Sequence, residues 1–306
     1  MGLEAEKIWF DGKLVPFADA KVHVLAHTLH YGLGVFEGIR AYEQADGRAG
    51  VWHLDLHLRR FFDSLKMMRT PIAFSHEQLR DACLDTLQAN GHSSAYLRPL
   101  AFLGMGAMGL GARTNPLHVV VATWPWGAYL GDEGMTRGVR LCTSSITRNH
   151  PNSSFQRAKV VGHYVNSIMA RYEANESGFD EALMLDQNGF VAEGTGENVF
   201  VIDEGVALTP PTANILPGIT RRTVIEILQH NGIEVRESFF GRDAFYTAEE
   251  AFMCGTAAEI TPIREVDRRT VGEGTPGPIT KLVQRIYLDA VKGEVPWLRK
   301  HITVGR

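Results

Sequence analysis

Cysteine is scarce. The three thiols in 306 residues, Cys83, Cys142 and Cys254, lie far apart in the chain. They make neither a disulfide framework nor a paired metal spacing, and they fit a reducing cytosol. Long hydrophobic runs are missing too. The stretch Val119–Trp124 is typical of the longest, far below the roughly 20 residues that a bilayer span needs. No apolar segment of the signal-peptide kind occurs between Met1 and Phe10, so a cytoplasmic protein is expected. Neither sign of charge dominates. There are 31 basic and 35 acidic residues, a formal net charge of −4, and no strongly basic stretch. Electrostatic nucleic-acid binding is therefore not expected. Walker A, G-x-S-x-G and H-E-x-x-H sequences are absent, as are repeats and low-complexity tracts.

The composition present is that of an ordinary globular chain, 44% hydrophobic and 22% charged. The length suggests about two domains. Ile8–Pro16 reads as a hairpin turning at Asp11-Gly12. Phe36–Tyr42 and Val51–His53 flank a turn, and Asp55 reads as the N-cap of a helix reaching Met67. Ser75 with Gln78 forms a capping box for a second helix, which Asn90-Gly91 closes. Ala95–Leu103 and Leu117–Thr123 read as strands. The Pro- and Gly-rich residues 124–134 predict a linker between domains 1–123 and 135–306. Beyond it, a strand at Val139–Ile146 and a helix around Arg157–Asn175 are predicted. They precede a hairpin of Glu181–Asp186 with Phe190–Ile202, then helices at about Ile219–Gln229 and Pro278–Val291. The class is mixed α/β (α+β) in two domains.

Two patterns invite other readings. Gly104-Met105-Gly106-Ala107-Met108-Gly109 matches the dinucleotide fingerprint after a strand, but no helix is predicted at its third glycine. Twelve histidines include His53 and His57 at helical spacing and the group His23, His27 and His30. Without accompanying cysteines or a zincin motif, they read as structural or surface residues and no metal is expected.

Lys159 stands out because it is the only lysine between Lys66 and Lys281. Arginine-rich usage with one solvated lysine is the plain explanation. The neighbours argue otherwise, since Ala158–Tyr164 reads as a helical segment of small and apolar residues. An amine there loses hydration and its pKa falls. A neutral amine attacks aldehydes. Three further segments could serve an aldehyde cofactor. Glu193-Gly194-Thr195-Gly196-Glu197-Asn198 offers a carboxylate among glycines. Leu216-Pro217-Gly218-Ile219-Thr220-Arg221 opens a helix whose free N–H groups suit a phosphate. Gly255-Thr256-Ala257-Ala258-Glu259 adds a small-residue loop with a hydroxyl.

Together these residues resemble the fold-type IV (class IV) pyridoxal-phosphate aminotransferases, and most closely the bacterial branched-chain group. The likeness runs nearly end to end. It includes His30-Tyr31-Gly32, Phe36-Glu37-Gly38-Ile39-Arg40, His57-Leu58-Arg59-Arg60, Tyr96-Leu97-Arg98-Pro99 and Trp126-Gly127-Ala128-Tyr129-Leu130. The resemblance implies a small N-terminal and a larger C-terminal domain, with pyridoxal 5'-phosphate in the cleft between them. It implies that Lys159 binds the cofactor aldehyde and serves as catalytic base. It further implies that Glu193 pairs with the pyridine nitrogen and that Tyr164 donates to the ring oxygen. Arg59, Leu216, Gly218, Ile219, Thr220 and Thr256 would hold the phosphate region. Tyr31, Phe36, Tyr96, Arg98, Trp126, Tyr129, Thr256 and Ala257 would meet the substrate, with Arg98 reading the distal carboxylate of glutamate. The minimal unit implied is a homodimer in which Tyr31 serves the neighbouring site, and some members are hexamers.

The expected activity is transfer of the amino group between L-leucine, L-isoleucine or L-valine and 2-oxoglutarate. Its partners are small amino acids and 2-oxo acids, not nucleic acid or membrane. Within the fold the rivals are a D-amino-acid aminotransferase and an aminodeoxychorismate lyase, against which Tyr96-x-Arg98 counts. A nicotinamide-dependent oxidoreductase on Gly104–Gly109 and a non-catalytic scaffold are the readings from other classes.

Overall fold

The structure is a computed structural model describing residues 5–127 and 130–305. The chain forms two compact units. One comprises residues 1–126, 158–163 and 290–306, and the other residues 127–157 and 164–289.

The first unit is built on an antiparallel sheet. Its strands are β1 (Lys7–Phe10), β2 (Lys13–Pro16), β3 (Gly34–Phe36), β4 (Ile39–Glu43), β5 (Ala49–Trp52), β6 (Ala95–Leu103) and β7 (Leu117–Trp124), together with Ile302–Val304. From one edge, Ile302–Val304 is followed by β5, β4, β6, β7, β1 and β2, and β3 pairs with β6. The helices are α1 (His27–Tyr31), α2 (Leu54–Met67) and α3 (His76–Ala89). Leu54, Leu58, Phe61 and Leu65 repeat at helical spacing on α2 and are buried. Each such side chain contributes about 1.5–3 kcal/mol through burial. They share a core with Ile39, Leu79, Leu97 and Val119, and with Ala158 and Val160 from the segment carrying Lys159.

The expected capping box is present: Ser75 Oγ accepts from Gln78 N at 3.1 Å, and Gln78 Oε1 accepts from Ser75 N at 2.7 Å. The start of α2 differs from expectation. His53, not Asp55, is the N-cap, with a left-handed φ of 52° and no side-chain cap bond. Its N–H donates instead to the His301 carbonyl, a partner far along the chain. Asp55 sits in the first turn, where its charge suits the helix dipole.

The second unit holds a mixed sheet. Its strands are β8 (Val139–Thr143), β9 (Glu181–Leu185), β10 (Val191–Glu193), β11 (Asn198–Asp203), β12 (Val206–Thr209), β13 (Val235–Glu237), β14 (Glu250–Gly255), β15 (Glu259–Val266) and β16 (Arg269–Thr270). They run in the order β10-β9-β8-β15-β14-β11-β12-β13, with β16 against β15. The pairs β8–β9, β8–β15 and β12–β13 are parallel. The helices are α4 (Gly131–Arg137), α5 (Tyr164–Glu176), α6 (Ile219–His230), α7 (Ala244–Thr247) and α8 (Pro278–Val291).

Several sequence expectations change. Within the expected linker 124–134, β7 runs to Trp124 and α4 opens at Gly131. Residues 290–306 belong to the first unit rather than to a domain 135–306, because Ile302–Val304 pairs with β5. The expected strand Phe190–Ile202 is interrupted at 194–197, where Gly194 N donates to Glu197 O and closes a turn. Lys159 does not begin a helix. Val160 bridges to Val35, a 3-10 turn follows at Val161–His163, and α5 starts at Tyr164. The Lys159 carbonyl accepts from Phe36 N and Gly162 N donates to Gly32 O. The backbone groups that a helix would use are thus engaged by a distant segment.

After β6 ends at Leu103, residues 104–116 form a loop tied by Asn115 Nδ2 to the Gly104 and Ala107 carbonyls. No helix opens at Gly109, so the dinucleotide reading lapses. Among the described residues, no helix is long and apolar enough to cross a membrane.

Candidate active site

In the first unit the expected residues gather around Phe36. Lys159 Nζ lies over the Phe36 ring, 5.0 Å from its centroid. The Arg98 guanidinium carbon lies over the same ring at 4.8 Å, and 5.4 Å from the Tyr96 ring. Tyr96 is buried on β6 and meets Trp126 edge to face, with ring centroids 4.6 Å apart. A Cβ on Gly38 would run into the Tyr96 hydroxyl, so only glycine lets the backbone pass there. Arg59 is exposed on α2. Tyr31 closes α1, is 42% exposed, and its ring lies 4.5 Å from that of His27. Tyr129 falls outside the described residues.

Behind Phe36 sits a charged cluster to which sequence reading assigned no role. Glu37 is fully buried. Its carboxylate accepts from His57 Nδ1 at 2.7 Å, and from Arg60 Nε and Nη2 at 2.7 and 2.9 Å. Burial works to raise the Glu37 pKa, but Arg60 and His57 outweigh it and hold the carboxyl far below the usual range. Burial pushes His57 below its ordinary value, against the pull of Glu37.

In the second unit, Glu193 ends β10 and is buried. Its Oε1 accepts from Arg148 Nε at 2.8 Å and its Oε2 from Asn198 Nδ2 at 3.2 Å, while Leu216 N donates at 3.3–3.4 Å. Asn198 Nδ2 also donates to the Leu216 carbonyl at 3.0 Å, tying the carboxylate to the turn that opens α6. Gly218 is the N-cap of α6 and provides no side-chain cap bond to the N–H groups that follow. A Cβ there would collide with Asn198 Oδ1. Ile219 and Thr220 are buried in the first turn. Tyr164 starts α5, half-buried, and Thr256 with Ala257 forms the turn between β14 and β15. Sequence reading missed Arg148. It lies in an irregular stretch 45 positions from Glu193, and nothing local marks it.

Each unit thus carries part of a recognisable set. The first holds an amine on an aromatic ring beside a guanidinium. The second holds a buried, ion-paired carboxylate tied to a helix N-terminus that a phosphate suits. The family description Amino-transferase class IV matches residues 34–266. The chain belongs to the class IV aminotransferases.

Among curated relatives, the branched-chain-amino-acid aminotransferase of Pseudomonas aeruginosa is 48% identical over 94% of this chain and 93% of its own. Two solved structures of a branched-chain amino acid aminotransferase from the source abbreviated T.th. cover 100% of both chains. The complex with N-(5'-phosphopyridoxyl)-L-glutamate has a TM-score of 0.96 at 44% identity, and the complex with 4-methylvaleric acid 0.95 at 43%. The chain is an enzyme of amino-group transfer.

Proposed function

We propose that this aminotransferase moves the amino group between L-leucine, L-isoleucine or L-valine and 2-oxoglutarate, using pyridoxal 5'-phosphate. The observation that carries the reading is the single aromatic ring beneath both Lys159 Nζ and the Arg98 guanidinium. Phe36, Tyr96 and Trp126 offer an apolar surface for an aliphatic side chain, and Arg98 a partner for a distal carboxylate. One substrate class needs the first and the other needs the second. The T.th. relative, solved with a phosphopyridoxyl-glutamate and with a branched aliphatic acid, supports such dual use.

The residues fit the cofactor by their chemistry. Lys159 supplies the amine for its aldehyde, Tyr164 a hydroxyl for its ring oxygen, and Arg59, Ile219, Thr220 and Thr256 donors for its phosphate, with Leu216 and Gly218 forming the turn before them. Glu193 supplies the carboxylate for its ring nitrogen, held in place by Arg148 and Asn198. When bound, the cofactor supplies an electron sink for the charge that develops at the substrate Cα. Lys159 would be the base that takes the proton from that carbon, and in the reverse half of the exchange it would give a proton to the Cα of the amino acid being formed. Tyr96, Thr256 and Ala257 hold the α-carboxylate, and Tyr31 borders the side chain.

Tyr31 does so for a neighbouring copy, so the assembly is a homodimer or a hexamer built from it. The exposed Val24, Leu29 and Tyr31 support a surface covered by another chain. Three free thiols support a cytoplasmic setting.

A panel of L- and D-amino acids with 2-oxoglutarate tests the reading. Turnover should favour the branched L-substrates, and borohydride should fix the cofactor on Lys159. Arg98→Ala should raise KM for glutamate about tenfold while changing KM for leucine far less. Preference for D-amino acids, or equal losses for glutamate and leucine, would reject it.

A further inference from the structure

A hydrogen-bonded circuit closes around the backbone of Lys159. Lys159 N donates to Ser64 Oγ at 3.1 Å, and Ser64 Oγ donates to the Arg60 carbonyl at 2.7 Å. The Arg60 side chain holds the Glu37 carboxylate through two bonds. The residue before Glu37, Phe36, donates its N–H back to the Lys159 carbonyl at 3.1 Å. Five residues from three separate stretches of the first unit are thereby joined in a ring.

Glu37 is the charged member of the ring and is firmly held. It is fully buried, its N–H donates to the Pro99 carbonyl at 2.8 Å, and both carboxylate oxygens are engaged. Burying a carboxylate is costly unless it is fully paired, and here the pairing is complete. We propose that Glu37 is a positioning residue for Lys159: through Arg60 and Ser64 on one side and Phe36 on the other, it fixes the peptide from which the amine projects. This rests on the reading of Lys159 as the working amine.

A lysine side chain has four flexible carbons, so the direction of its first bond decides where the nitrogen is delivered. The circuit fixes both the N–H and the C=O of Lys159. It also holds the Phe36 backbone, and the amine lies over the ring that this residue carries. Loosening it leaves the amine present but poorly aimed, and misplacement of a reacting group lowers the chemical step more than binding. A purely fold-stabilising ion pair would have no such selectivity.

Two variants separate these cases. Glu37→Gln weakens the charged link, and Ser64→Ala cuts a neutral link while leaving the ion pair intact. For each, kcat and KM are measured, together with the rate at which the apoprotein captures added pyridoxal phosphate, followed by visible absorption. Both variants should lose about tenfold in kcat and in capture rate, with KM for leucine changed less than twofold. If both show wild-type kcat and capture rates and only a lower melting temperature, the positioning role is overturned. Should Glu37→Gln fail to fold, Ser64→Ala decides alone by the same criteria. Borohydride labelling of Lys159 in the unsubstituted protein is the control. Its failure would fault the function reading, whereas its success with unaltered variants would fault only the positioning role.

Discussion

At the scale of single residues, Glu37 and His57 set an acid limit on the first unit. Burial depresses the His57 pKa, with Glu37 opposing it. The unfolded chain therefore binds a proton that the folded one refuses, and stability falls as pH drops through the ordinary histidine value of about 6.5. The Glu37 carboxyl, depressed against its own burial, adds a second loss as pH falls below the ordinary carboxylate range. Both act in the same direction. The melting temperature should therefore decline steadily between pH 7 and pH 4, and His57→Gln should flatten the portion above pH 5.5. A melting profile that is flat over this interval in the unsubstituted protein would contradict the assignment.

At the scale of elements, Gly218 ties the opening of α6 to Glu193. The Cβ of Gly218→Ala would displace Asn198, whose amide holds both the Glu193 carboxylate and the Leu216 carbonyl. A loss of roughly 1–3 kcal/mol in urea unfolding is expected, together with faster cofactor release on dilution. An unchanged release rate would show that the turn and the carboxylate are independent. What the sequence made legible follows the range of the forces involved. The capping box at Ser75, the Asn90-Gly91 end of α3 and the limits Pro278–Val291 of α8 depend on neighbours a few positions away, and pattern alone finds them. Residue type and local spacing single out Lys159, Glu193 and the Leu216–Arg221 turn in the sequence, and the chemistry proposed for them rests on that and on the family resemblance. The non-helical backbone at Lys159 was not legible, since its partners Phe36 and Ser64 lie about a hundred positions away. Arg148 was invisible for the same reason.

At the scale of the whole molecule, the first unit is discontinuous in sequence. Its sheet ends with Ile302–Val304, whose partners on β5 are Trp52, Val51 and Gly50. Removing residues 302–306 should expose the β5 edge, lower the melting temperature and promote association through the unpaired strand, visible by light scattering. A truncated chain that melts and scatters like the full one would show that the strand is dispensable. The same threading has a consequence during synthesis. A ribosome releases residues 127–157 and 164–289, the entire second unit, before the stretch that finishes the first. The two units cannot mature one after the other from N- to C-terminus. The earlier-made half must wait with an open sheet margin through most of translation, and this is the interval in which a chaperone has most to protect.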